Sequence, residues 1–148
     1  MMNAITSFTG QYRFLSNFYP AVVTLDGIEC PTVEHAYQAA KTIYQHERAT
    51  IIAAPTPGAA KRAGRRCTKR EDWDEVKLQA MLTLLRKKFA HPALMEKLLA
   101  TGDAELIEGN TWGDTYWGRC NGVGENHLGR LLMQVRAEIN AAVDETVR

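Results

Sequence analysis

A chain of 148 residues, 45% of them hydrophobic and 24% charged, has the length and balance of one globular domain. A formal net charge of +1 supplies no global field that would draw it onto nucleic acid or an anionic membrane. No stretch approaches the roughly 18 apolar residues of a membrane span, no basic-then-apolar secretory signal opens the chain, and Cys30, Cys67 and Cys120 are too scattered for a disulfide framework or a zinc site, so a cytoplasmic protein with reduced thiols is expected.

In chain order, residues 22–25 and 28–30 flank Asp26-Gly27, a two-residue turn that needs positive φ at both positions, and predict a β-hairpin closed by Pro31. Thr32 then caps a helix running to about Gln45. A short helix is predicted over residues 47–54. Another opens at Thr56-Pro57, cap followed by first-turn proline, and stops near Gly64. Asp72, with Glu75 at capping-box spacing, begins what reads as the longest helix. Its apolar residues Val76, Met81, Leu82, Leu85 and Phe89 cover more than one face and place it centrally. His91-Pro92 ends it, and a short helix follows to Leu99. Residues 105–108 read as a strand, residues 109–125 as a loop rich in Gly and Trp. Asn126 caps the last helix, where Leu128, Leu131, Leu132, Val135 and Ile139 form a buried stripe. The sum is an α+β fold, a mainly helical single domain over residues 1–148 with a small antiparallel sheet. It lacks the strand–helix alternation of a Rossmann fold.

The first helix carries the most informative pattern. Glu34, Tyr37, Gln38 and Lys41 stand at i, i+3, i+4 and i+7 and share one face. Val33, Ala36, Ala40 and Ile43 form the adjacent apolar stripe, so this polar face borders the core. The pattern fits either an exposed Glu and Lys two turns apart, or a carboxylate and an amine projecting into one cleft. Cleavage of a C–N bond at an anomeric carbon uses such a pair. The carboxylate stabilises positive charge on the sugar or relays a proton. A neutral lysine attacks the anomeric carbon or the aldehyde of an opened sugar and forms a Schiff base. Burial or nearby cations must first lower its pKa. Lys61, Arg62, Arg65, Arg66, Lys69 and Arg70 fall within ten residues, as a solvated face or as a phosphate-binding patch.

A second candidate region runs from Trp112 to Gly129. Its glycines allow close backbone approach, the following helix offers N–H groups to an anion, and Tyr116 and Trp117 are placed to stack on a base. The spacing is not Gly-x-Gly-x-x-Gly, so no dinucleotide fold follows. Trp112 and Trp73 read first as structural aromatics. The four histidines (His35, His46, His91, His127) show no metal-ligand spacing and read as surface or cap residues, and Ser16 and Cys67 lack a triad context. Neither a metal nor a cofactor is expected.

Taken together, these motifs resemble the NADAR, or YbiA-like, family. Phe14-Leu15-Ser16-Asn17-Phe18-Tyr19-Pro20 looks like its opening motif. The stretch Asp26-Gly27, Pro31-Thr32, Glu34-His35, Tyr37-Gln38 and Lys41 is similar to its signature helix. Gly64-Arg65, Trp73 and Lys77 follow at familiar distances, and Asp114 to Gly118 and Asn126 to Met133 resemble its closing motifs. The resemblance implies a mostly helical α+β fold and N-glycosidase activity, either on phosphoribosylamino-pyrimidines of early riboflavin synthesis or in removing ADP-ribose from guanine bases. It places the family's carboxylate on Glu34 and its Schiff-base lysine on Lys41. Its nucleotide-binding residues fall on Asn17, Arg65, Trp73, Asp114, Trp117 and Asn126; Tyr37, Gln38 and Tyr116 join them from the pattern above. Asn110-Thr111-Trp112-Gly113 departs from the family's usual polar segment.

The leading expectation is therefore a metal-independent N-glycosidase acting on a ribose-phosphate or ADP-ribose substrate, with ADP-ribosylated DNA or RNA as a further partner and no membrane association. A non-catalytic module that holds ADP-ribose is the alternative; it needs the aromatic and anion sites but no aligned carboxylate and amine. A nucleic-acid-binding protein built on the basic segment is a third reading, which the near-neutral net charge weakens.

Overall fold

The computed structural model describes residues 3–147. In chain order the elements are β1 (Ala4–Ile5), a 3-10 helix (Gly10–Leu15), β2 (Val23–Leu25), β3 (Ile28–Cys30), α1 (Val33–Ala40), α2 (Gln45–Ile52), α3 (Pro57–Arg66), α4 (Trp73–Lys88), α5 (Pro92–Leu99), β4 (Glu105–Leu106), β5 (Gly109–Asn110), β6 (Arg119–Cys120) and α6 (His127–Val147). This is the expected mainly helical α+β composition. The chain resolves into two compact units: Asn17–Lys88, and a second that joins the chain up to Ser16 with the chain from Phe89 onward. Among the described residues, no helix is long and apolar enough to cross a membrane.

In the first unit, Asp26 (φ 48°) and Gly27 (φ 82°) both take the left-handed conformation of a tight hairpin turn. That turn fixes the antiparallel register Val23↔Cys30, Thr24↔Glu29 and Leu25↔Ile28. Thr32 caps α1 as expected, its Oγ1 accepting from the His35 backbone N–H at 3.1 Å. All eight residues of α1 are buried, because α2, α3 and α4 pack around it. Ala39, Ile51 and Ala60 form a small mutual core; two alanines let the backbones of α1 and α3 approach closely.

Helix α1 ends five residues before the expected Gln45. The stop is tertiary in origin. The Thr42 hydroxyl donates to Glu47 Oε1 at 2.5 Å and accepts from the Tyr44 N–H, and Arg48 Nε donates to the Thr42 carbonyl at 2.8 Å. Ile43, expected in the apolar stripe, consequently lies outside the helix and 61% exposed. Helix α4 starts at Trp73, with the Asp72 carboxylate gripped by Arg70 at 2.6 and 3.0 Å. Its 16 residues make it shorter than α6, which has 21, so the last helix is the longest.

The second unit gathers the remaining elements. Here β1 runs parallel to β4 (Ala4↔Glu105, Ile5↔Leu106) and β5 parallel to β6 (Gly109↔Arg119, Asn110↔Cys120). The single antiparallel sheet expected from the sequence is therefore, among the described residues, three separate two-stranded ladders, of which β2/β3 is antiparallel and the other two are parallel. The strand expected at residues 105–108 ends at Leu106. Strands distant in sequence are not bound by hairpin geometry, and local patterning does not reveal their partners. Leu128, Leu132 and Val135 of α6 are buried, while Leu131 and Ile139 are half-buried. The buried Arg136 guanidinium donates to Thr101 Oγ1 and to the Ala104 carbonyl, both at 2.8 Å.

Candidate active site

Within Asn17–Lys88, helix α1 presents the expected face. Glu34, Tyr37 and Gln38 are buried at 7%, 5% and 3% exposure. Lys41 is the C-cap residue and keeps helical backbone angles (φ −65°, ψ −23°), so it stays on that face, half-buried. Gln38 Nε2 donates to Glu34 Oε2 at 2.5 Å. The ammonium of Lys41 lies 5.8 Å from the centre of the Tyr37 ring, and Trp73 packs against the same ring at 5.1 Å, tilted by 53°. Asn17 meets α1 at Glu34. Its backbone carbonyl accepts from the Glu34 N–H at 3.1 Å. Its side chain donates to the Met81 sulfur at 3.6 Å, while its Oδ1 is buried and receives no protein donor.

Helix α3 supplies the positive charge. Lys61 and Arg65 are one turn apart and so share a face, and both bear electrostatically on α1. Burial raises the Glu34 carboxyl above its usual range; the Gln38 hydrogen bond and the charges of Lys61, Lys41 and His35 pull it part of the way back. Burial lowers Lys41, partly opposed by Glu34 and Cys67 and reinforced by Arg65 and Lys61. The two groups are thus pushed toward each other's range, the pattern that acid–base and nucleophilic chemistry near neutrality requires. Lys61 belongs to the basic run noted in the sequence, but its specific partnership with Glu34 was missed; its spacing of four from Arg65 on one helix is the signal that points to it.

In the second unit, the segment from Asp114 to Trp117 is tightly held. Asp114 Oδ1 accepts from the N–H groups of Tyr116 (3.2 Å) and Trp117 (2.9 Å). Asn110 brackets Asp114, its amide donating to the Asp114 carbonyl at 2.9 Å and its Oδ1 accepting from the Asp114 N–H at 3.1 Å. Tyr116 meets Trp117 edge-on at 5.0 Å and His127 at 4.5 Å, giving a half-buried aromatic cluster. Asn110 was not singled out as a site residue; only its fold position identifies it.

Four expectations for this region are corrected. Asn126 does not cap α6: its φ of 55° lies outside the extended conformation of an N-cap. Its side chain instead accepts from the Glu108 N–H and donates to the Leu106 carbonyl, both at 2.9 Å. The first two N–H groups of α6 are not open to an anion, since those of His127 and Leu128 donate to the carbonyls of Tyr116 and Trp117 at 3.1 and 2.9 Å. Gly118 leaves no room for a ligand either, because a Cβ there would fall 2.0 Å from both the carbonyl and the carboxylate of Glu108. Trp73 is buried as expected, but Trp112 is no structural aromatic: it is 63% exposed.

Residues 6–140 match the NADAR domain family. The chain is 40% identical over 146 residues to N-glycosidase YbiA of Shigella flexneri serotype 5b, covering 94% of this chain and 91% of that protein. It is 44% identical over 135 residues to N-glycosidase Npun_R5314 of Nostoc punctiforme, covering 86% of each. The NMR structure of the E. coli protein YbiA matches with a TM-score of 0.83 at 35% identity, covering 100% of this chain and 90% of that one.

Proposed function

The chain belongs to the NADAR family and is a hydrolase of N-glycosyl compounds, and from that premise we propose that it cleaves the bond between a phosphorylated ribose and a nitrogen base, with Glu34 as the acid–base group and Lys41 as the nucleophile. The observation that carries this reading is the placing of a buried carboxylate and a half-buried amine on one face of α1, with burial pushing the first up and the second down. A solvated Glu and Lys would show neither.

The reaction proceeds as follows. Neutral Lys41 adds to the anomeric carbon through its nitrogen lone pair, and the base leaves with the C–N bonding pair and a proton relayed by Glu34. The ring C–O bond opens, the ring oxygen takes a proton, and the amine loses its own to Glu34, giving an imine between Lys41 Nζ and the sugar carbon. Water adds to that imine, the amine departs, and the free sugar and the protonated base are the net products of one water consumed. Arg65 binds the phosphate. Asn17 offers its unpartnered Oδ1 to a sugar hydroxyl. Tyr37, Gln38 and Trp73 complete this surface of Asn17–Lys88.

The protein should be incubated with ADP-ribosylated guanine DNA and, in parallel, with phosphoribosylamino-pyrimidines, with borohydride added during turnover. One substrate should leave a reduced sugar adduct that peptide mass mapping places on Lys41. Lys41→Ala should fold yet lose the adduct and most activity, and Lys41→Arg should fare no better, since guanidinium stays protonated. Full turnover by Lys41→Ala would remove the lysine from the mechanism. Tight ADP-ribose binding with neither substrate cut would replace the enzyme by a binding module.

A further inference from the structure

Gln38 stands one helical turn after Glu34, and its two polar ends meet different surroundings. Nε2 donates to Glu34 Oε2 at 2.5 Å. Oε1 is buried, receives no donor, and is pressed against α3, where a Cβ on Gly64 would fall 2.0 Å from it and 2.8 Å from Cδ. Only glycine tolerates that approach.

The two ends of an amide have nearly the same shape and opposite polarity. Turned one way, Gln38 offers Glu34 a donor and favours the ionised carboxylate. Turned the other way, it offers a carbonyl and favours the protonated acid. The Gly64 α-carbon decides between them: its hydrogens are weak donors, suited to an oxygen and unsuited to a second set of N–H hydrogens. The crossing of α1 and α3 therefore selects the orientation. It engages one Glu34 oxygen, Oε2, and leaves Oε1 for the reacting atoms. The other charged and titratable groups acting on Glu34 are Lys61 from α3 and Lys41 and His35 from α1; among the described residues none of them is hydrogen-bonded to Oε2, and Gln38 fixes that oxygen's direction.

We propose that Gln38, held in one orientation by Gly64, is a positioning residue that aims the Glu34 carboxylate and keeps it available as a base. The proposal rests on the acid–base reading of Glu34 given above, and its test is separable from that reading. Uniformly folded Gln38→Met keeps the side-chain length and removes the donor. In the full-length protein without substrate, carboxyl-carbon NMR should show Glu34 titrating at higher pH than in the wild type. The acid limb of the pH–kcat profile should move the same way. Loss of a hydrogen bond to a charged group should lower kcat by roughly ten- to a hundredfold, with KM little changed. Gly64→Ala should reproduce the upward titration by displacing the amide; should it fail to fold, Gln38→Met decides alone. An unmoved Glu34 titration in Gln38→Met would overturn the proposal whatever the activity. Full activity in Glu34→Gln would instead remove the acid–base reading, leaving the titration to judge Gln38 on its own.

Discussion

At the scale of single residues, the features proposed to make Glu34 useful also cost stability. Folding raises its proton affinity, chiefly by burial. Its contribution is therefore fully present at low pH, where it is protonated folded and unfolded, and is lost as pH rises through its folded-state pKa. Lys41 has the opposite sign: its pKa is lowered on folding, so its contribution is lost as pH falls through the folded value. Glu34→Gln should thus match the wild type at about pH 4 and exceed it by about 1 kcal/mol at neutral pH and above, while turnover collapses. Urea midpoints of both proteins at both pH values check this; a variant that gains nothing over the wild type between acid and neutral pH would show that burial does not dominate. The Glu34–Lys41 pairing was legible in the sequence because a helical face is a matter of spacing alone. The facing of the Gln38 amide was not, since it depends on how closely Gly64 of α3 approaches.

At the scale of elements, what is local was legible and what is tertiary was not. Thr32 and Thr56 cap α1 and α3 as expected, because a cap needs only its own first turn. The end of α1 is set by Glu47 and Arg48 reaching back to Thr42, and no periodicity reports that. Thr32 has a second duty. Its hydroxyl lies 2.8 Å from His35 Nδ1, while His35 Nε2 lies 2.9 Å from the Ala54 carbonyl. Because a carbonyl can only accept, Nε2 carries a proton, and Nδ1 is hydrogen-bonded to the Thr32 hydroxyl. The cap thus also latches α1 to the end of α2. Thr32→Ala should lower stability by about 1 kcal/mol or somewhat more, and Thr32→Ser should restore it. Denaturant midpoints decide the matter; an unchanged midpoint in Thr32→Ala would make the latch dispensable.

At the scale of the whole molecule, the chain passes from one unit to the other twice. Asn17–Lys88 is one continuous segment, whereas the other unit is assembled from the chain on either side of it. Pairing β1 with β4 joins residues about a hundred positions apart, and closing so long a flexible loop costs about 4 kcal/mol. Folding of Asn17–Lys88 removes most of that cost, because it brings its own ends together: the Lys88 ammonium lies 5.8 Å from the centre of the Tyr19 ring, and Asn17 is bonded to Met81. The second unit can then pair β1 with β4 across a short gap. We expect the two units to unfold together, as a single domain over residues 1–148 would. The tryptophans allow a direct check, since Trp73 belongs to the first unit, and Trp112 and Trp117 to the second. Variants keeping only Trp73, or only Trp117, should give coincident urea curves by fluorescence, with circular dichroism superimposing on both. Adding Thr32→Ala, a change confined to the first unit, should move both curves by the same amount. Separate midpoints, or a Trp117 curve that ignores Thr32→Ala, would mean that β1 and β4 pair without help from the segment between them.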